Sequence, residues 1–480
     1  METNERVQAA LWQQAEVEVQ KILERVQGLA DGDLKGLEEQ VMATVFALGR
    51  AWMESLLSSR QHSERPAARR LGACGHKQRL VGERPKHVLT LLGKVTMHRA
   101  YYQCLTEETE ETVCTHGEAP ADALWGVQER RTTAGVQQAM GSLCASLTLE
   151  EAAETFSRLL PLEMSARQAL TLIQPVGEAL ASGEDAQVKQ IWQQAGQARS
   201  DLAAEPDRVQ ERLERLYVEL DGVTARLRRG SVPMEDKEVK RQGDVYREVK
   251  VGAVFQPTRG PERSGLAPGV FVDQAGEKQY VARRTSAENF GKLLYALALG
   301  CGLSHAQQVV ILGDGALWIW RLAAEHFPHA VQIVDVWHAR EHVWKVARAV
   351  FGAGTPQAAT WAEHACSLLV QGKIEDLVTE IVTLPAVPPE PGASRSVPEI
   401  ERDYFISNAA RMRYPAFRAQ GMHVGSGIAE AACKTVVSTR AKRSGMRWTP
   451  AGLDAVLALR VAVLNRTYDQ FCKQQPRLLA

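Results

Sequence analysis

Residues 309–315 read Val-Val-Ile-Leu-Gly-Asp-Gly. This is a short apolar run ending on an acid, the pattern of a buried strand whose last side chain faces a site. The pattern recurs at 216–222, Leu-Tyr-Val-Glu-Leu-Asp-Gly. The glycine after each acid lets the backbone turn away and leaves Asp221 and Asp314 at strand tips. Further strand-like runs lie at 248–256, 279–282 and 331–336, and 213–215 extends the run that ends at Asp221. Helical runs follow at 287–300, 316–326, 338–350, 427–441 and 451–471. The first three strands are consecutive and can pair antiparallel. The last two each lead into a helix, as parallel crossover units do.

Outward from this α/β part the pattern changes. Five prolines between 385 and 398 mark a loop within a mainly helical insertion at 352–424. Residues 8–58 have helical periodicity, broken at Asp31-Gly32. Residues 66–118 carry two alternating runs around Gly93, which predicts a β-hairpin. At 120–205, Thr148-x-x-Glu151 and Ser165-x-x-Gln168 each fit a capping box. They predict two short helices joined near Pro161, a helix-turn-helix candidate. The expected organisation is multidomain α+β: helices over 1–62, a hairpin unit over 63–119, the helix-turn-helix-like part over 120–205, an α/β core over 210–351, the insertion, and the rest of the core over 425–475.

Composition sets outer limits. The 480 residues carry 57 Lys+Arg and 57 Asp+Glu, so a globally basic, histone-like protein is excluded, while a local basic surface is not. Hydrophobic residues make up 45%, enough for a sizeable core and too many for wholesale disorder. No apolar run is long enough to span a membrane, and the polar N-terminus lacks a signal-peptide core. Eight scattered cysteines suit a reduced, cytoplasmic setting.

In an open α/β sheet, sites assemble at the carboxyl ends of strands. If the strands ending at Asp221 and Asp314 are neighbours, their carboxylates share one edge. The helix opening Gly425-Ser-Gly-Ile-Ala-Glu430 can add a third. Converging carboxylates raise one another's pKa or recruit a cation. Magnesium favours oxygen ligands and serves phosphoryl transfer. Asp335 and His338, three residues apart, can share a helical face, with His338 orienting a phosphate; the plainer alternative is a helix N-cap by Asp335.

These residues, with Tyr246-Arg-Glu-Val-Lys250, Gly313-Asp-Gly-Ala-Leu-Trp-Ile-Trp320, Asp335-Val-Trp-His338 and Lys442-Arg-Ser-Gly-Met-Arg-Trp448, resemble transposases of bacterial insertion sequences. The resemblance is closest to the ISKra type within the Mutator-like group of DDE transposases, and runs to about residue 472. It implies an RNase H-like catalytic core with Asp221, Asp314 and Glu430 as catalytic, metal-holding triad. Mg²⁺ is the implied cofactor, with Mn²⁺ as a substitute. Asp335 and His338 fall on the group's motif beside the active site. Glu248 and Lys250 match a segment of the second strand, where the plain expectation is a cross-strand ion pair. Relatives often carry paired cysteines that look like a zinc ribbon. Here Cys74, His76, Cys104 and Cys114 supply four donors at irregular spacing, and a metal-free hairpin is expected in preference to structural Zn²⁺.

The implied partners are double-stranded DNA, both the element's terminal inverted repeats and its target, and further copies of the chain. The expected location is the nucleoid, with no membrane. Lys434, Arg440, Lys442, Arg443 and Arg447 follow Glu430 with no intervening acid until Asp454. With Arg411, Arg413 and Arg418, and with Arg226, Arg228 and Arg229, they suit a phosphate backbone. A basic stretch at 65–99 suits recognition of element ends. The alternatives are a domesticated, non-catalytic DNA-binding protein and an RNase H-type nuclease acting on hybrids.

Overall fold

The apolar runs that surround the two Asp-Gly pairs become neighbouring strands of one sheet. The computed structural model describes residues 2–28, 33–61, 66–104, 114–127, 131–198, 213–228, 245–262, 271–425 and 427–474. It is a mixed α/β chain with two sheets. Its contacts divide it into two units, Met1–Ala179 with Thr467–Ala480, and Leu180–Arg466. The expected break at Asp31-Gly32, the expected junction at 205–210, and Arg65 and Arg229 lie outside the described residues. Among the described residues no helix is long and apolar enough to cross a membrane.

The first unit opens with two long helices, α1 (Glu2–Val26) and α2 (Leu34–Gln61). A four-stranded antiparallel sheet follows, ordered β1 (Arg69–Leu71), β2 (Lys77–Thr90), β3 (Gly93–Cys104), β4 (Gly117–Glu118). β2 and β3 form the predicted hairpin. Its turn closes at Gly93, whose φ of 115° is open to glycine. Short helices α3 (Pro120–Leu124), α4 (Ala134–Cys144) and α5 (Leu149–Leu159) come next. The Thr148–Glu151 capping box forms as read, and Ser165 and Gln168 cap reciprocally. The helix after Ser165 is not short: α6 runs Ala166–Ala198 with Pro175 inside it. Its buried stripe, Ala169, Ile173 and Val176, continues past that proline.

In the second unit five strands, β5 (Leu213–Leu227), β6 (Val245–Glu262), β7 (Phe271–Arg283), β8 (Ala306–Gly313) and β9 (Val331–Val334), lie in the order β7-β6-β5-β8-β9. The first three pair antiparallel, while β8 and β9 join parallel to β5. Leu216, Val218, Leu220, Val310, Leu312 and Ile333 are fully buried, as expected of strands covered on both faces. Helices α7 (Ala287–Gly300), α8 (Leu317–His326) and α9 (Val336–Phe351) connect and follow the strands.

The insertion folds as α10 (Pro356–Val370), α11 (Ile374–Thr383), α12 (Val397–Asn408) and α13 (Tyr414–Ala419). It has no core of its own: Ala362, Leu369, Leu377 and Phe405 belong to the same buried cluster as the sheet. The chain then returns as α14 (Gly427–Ala432), a π-helical stretch at Cys433–Ser438, and α15 (Thr439–Ala441). α16 (Pro450–Leu464) completes this unit, and α17 (Tyr468–Gln474) belongs to the first.

Candidate active site

β5 does not stop at Asp221. It continues six residues further because β6 pairs with it out to Leu227–Val245, so Asp221 lies within a strand and opposite Val251. The parallel neighbour does stop: the last β5–β8 pair is Glu219–Leu312. All pairs of that ladder share an offset of 93 residues, as in Leu213–Ala306. Carried two residues past the last pair, the same offset sets Asp314 opposite Asp221. The β8–β9 ladder has an offset of 21, ending at Gly313–Val334. One step further, Asp335 comes opposite Asp314, and the Asp335 N–H donates to the Gly313 carbonyl at 2.9 Å. Extended past the last paired residues, the two offsets align Asp221, Asp314 and Asp335, of which Asp314 and Asp335 follow the ends of β8 and β9.

The row is electrostatically tense. Burial pushes the Asp221 carboxyl above its ordinary value, and Asp314 adds to that push. The Gly222 N–H, the Cys433 thiol and His338 act the other way. The Asp221 carboxylate accepts from Gly222 N–H at 2.6 Å and from the Cys433 thiol at 3.5 Å. Asp314 accepts from Ala316 N–H at 2.8 Å. Asp335 is buried, and its carboxylate accepts the His338 N–H at 2.6 Å, so the plainer expectation of an N-cap holds.

Glu430 is exposed on α14. It is bracketed by two ties to β5: Ala429 N–H donates to Glu219 at 2.9 Å, and Cys433, one helical step along the same face, reaches Asp221. The three triad carboxylates do not close within 4.8 Å of one another, the separation that the described Cys/His group does meet.

The glycines after the two acids act differently. Gly315 turns the chain at φ 95°, where a Cβ would also lie 2.6 Å from the Tyr404 ring and hydroxyl. Gly222 stays in the strand, and its missing side chain makes room for Glu248, whose Oε1 would be 2.3 Å from a Cβ. Glu248 pairs with Lys250 along β6 rather than across strands, and Lys250 lies over the Trp318 ring at 5.2 Å. Gly315→Ala is expected to destabilise the fold by about 1–3 kcal/mol, read as a lower midpoint in thermal denaturation.

Helix α12 reaches back into the site, which no sequence reading anticipated. Tyr404 donates its hydroxyl to the Asp314 carbonyl at 2.9 Å and stacks on His342 at 3.8 Å. Buried Glu401 pairs with His342, which meets the His338 ring edge-on at 5.0 Å. The one signal in sequence was the buried spacing of Glu401 and Tyr404 on one helical face.

The proposed phosphate-facing cations separate into two groups. Arg440 is fully buried and stacked over Trp448 at 5.2 Å. Arg411 bonds Gln332 and lies over Trp320, and Arg413 forms a fork with Glu375. These three engage other side chains of the same unit where they stand. Lys434, Lys442, Arg447 and Arg228 are exposed. Arg443, half-buried, donates to the Thr439 carbonyl at 3.0 Å. Backbone bonds between Trp448 and residues 226 and 228 bring Arg226 and Arg228 beside Arg447.

In the first unit, the Cys74, His76, Cys104 and Cys114 donor atoms all lie within 4.8 Å of one another. Sγ atoms are 3.2 Å apart for Cys74–Cys104 and 3.6 Å for Cys114–Cys104. A tetrahedron with Zn–S bonds of about 2.3 Å has edges of about 3.8 Å, so the spacing suits zinc. The His76 N–H helps to bring the Cys74 thiol down to about 6, while removal from water pushes Cys104 up to about 11. The cluster could hold a zinc ion.

No family model and no curated protein matches this chain. Among solved structures it is similar to the Drosophila P element transposase strand transfer complex, at 10% identity and a TM-score of 0.23, over 74% of this chain and 83% of that one. A likeness of that degree leaves function to be argued from the residues.

Proposed function

We propose that the protein is a metal-dependent DNA transposase of a bacterial insertion sequence, of the ISKra type. It would cleave DNA strands at the element's ends and join them to target DNA. The observation that carries this reading is that Asp314 acts by like charge on Asp221, where the β5–β8 offset of 93 also aligns them, with the Glu430 helix tied to β5 on either side of Glu430. The sheet order supports it: numbered along the chain the strands run 3-2-1-4-5, with the second antiparallel, the arrangement of an RNase H-like core. Asp314 raises the Asp221 carboxyl by like charge, and the donor set is all oxygen, which fits Mg²⁺.

Asp221, Asp314 and Glu430 would hold the magnesium. When bound, it supplies activation of the attacking oxygen and stabilisation of the leaving one. Asp335 fixes the start of α9 and so the direction of His338, which would orient a phosphate. Lys434, Lys442, Arg447 and Arg228 would contact the DNA backbone. Tyr404 holds the Asp314 turn from behind. The Cys/His group would bind structural zinc. The partners would be the terminal inverted repeats, the target duplex and further copies of the chain.

The test is strand cleavage of labelled DNA from the ends of the gene's own locus, with Mg²⁺ or EDTA, beside Glu430→Gln. Cuts at the ends that need Mg²⁺ and vanish in the variant are expected. End binding without any cut in the wild type would instead favour a non-catalytic DNA-binding protein, and cutting of RNA–DNA hybrids without end preference would favour an RNase H-type nuclease.

A further inference from the structure

Glu219 is a glutamate within the buried stretch of β5 from Leu216 to Leu220, and its side chain is 0% exposed. Burying a carboxylate is costly unless it is hydrogen-bonded. Both oxygens are used: one meets His423 Nε2 at 2.7 Å, the other accepts the Ala429 N–H at 2.9 Å. Ala429 lies in the first turn of α14, where backbone N–H groups have no partner within the helix. The next residue is Glu430.

His423 is itself held. Its ring stacks on Tyr217 at 4.2 Å, and Tyr217 stacks on Phe255 at 5.2 Å. The Tyr217 hydroxyl donates to Asp273 at 2.6 Å, and Asp273 pairs with Arg215. The backbone around His423 is bonded at Gly421 to Asp273 N–H and at Val424 to Val336 N–H, each at 2.9 Å. The segment returning from the insertion is therefore fastened to β7 at Gly421 and to the start of α9 at Val424, and Glu219 carries that fastening on to the helix bearing Glu430.

Resting on the metal-dependent reading above, we propose that Glu219 is a positioning residue: seated two residues before Asp221 and clamped between His423 and the Ala429 N–H, it sets where Glu430 stands relative to the aspartate row. Glu219 touches neither substrate nor metal. It acts through the backbone next to Glu430, and His423 keeps its carboxylate aimed.

The full chain is tested in two ways. The first is iron-directed backbone cutting: Fe²⁺ with ascorbate and peroxide replaces Mg²⁺, and fragments are mapped. Wild type should be cut near 221, 314 and 430. Glu219→Ala should lose the cuts near 430 by about 10-fold or more, the usual effect of removing a group that orients a metal ligand, while keeping those near 221 and 314. Glu219→Gln still offers an oxygen to the Ala429 N–H and should restore them. The second is the Mg²⁺ concentration for half-maximal strand cleavage, expected to rise about 10-fold in Glu219→Ala and to recover in Glu219→Gln. Unchanged cutting near 430 in Glu219→Ala overturns the proposal. So does loss of all three cut regions together, which would mark a residue needed only for folding. A wild type with no cuts near 221 and 314 would defeat the metal reading itself, a separate and recognisable result.

Discussion

Asp314→Asn should abolish strand cleavage while raising the stability of the metal-free protein. Cleavage is expected to fall by roughly 10³-fold or more, equivalent to about 4 kcal/mol of transition-state stabilisation. The amide keeps the size and the bond to the Ala316 N–H through its oxygen, so the turn survives and end binding should be retained. Stability moves the other way because Asp314 helps to raise the Asp221 pKa. A carboxyl raised in the folded state gives its full stability below its unfolded pKa, and that contribution is lost as pH rises through the folded pKa. Above the folded pKa the wild type bears that cost, and Asp314→Asn removes the part due to like charge. A higher thermal midpoint is expected in EDTA at a pH where Asp221 is ionised. Cleavage near the wild-type rate in this variant would remove Asp314 from the chemistry. A lower midpoint would contradict the charge argument.

Removing zinc should have the largest structural effect in the first unit. The four donors come from the turn after β1, the approach to β2, the end of β3 and the approach to β4, so a bound ion would join all four strands. Apparent zinc affinities of such sites are of the order of 10 kcal/mol or more at neutral pH. Protein purified without chelator should carry about one zinc per chain by elemental analysis, the stoichiometry of a closed four-ligand site. Cys104→Ser should lose most of it, and limited proteolysis should then cut within 66–118. Metal-free protein with freely titrating thiols at Cys74, Cys104 and Cys114 and a protease-resistant hairpin would show that the unit stands without zinc.

Much of the second unit was legible in sequence, because its strands are short apolar runs and its helices have clean periodicity. The helix at 287–300 matches to the residue. The extent of β5 and β6 was not legible. Thr224 and Arg226 lie past Asp221, where the apolar run ends, and only pairing with β6 makes them strand. The two aspartates were visible as acids closing apolar runs. Glu219 was hidden, since nothing in the apolar run around it names a partner, and His423, which holds it, lies 204 residues away. The burial of Arg440 was not legible for the opposite reason: a cation in a basic run reads as exposed, yet Trp448 offers it a ring. The Cys/His spacing looked irregular in the chain because the donors are brought together by strand pairing.

The constant offsets between β5, β8 and β9 define which length changes this gene can tolerate. Residues added between Leu227 and Val245, or between Glu262 and Phe271, fall between paired strands and leave the ladders in step. One residue added within 309–313 would carry Asp314 a step beyond Asp221 and reverse the face that follows it. Frame-preserving insertions scanned across the chain should therefore be harmless in the first two intervals and lethal to activity in the third, so the spacing from 219 to 221 and from 312 to 314 is as much a part of the site as its carboxylates.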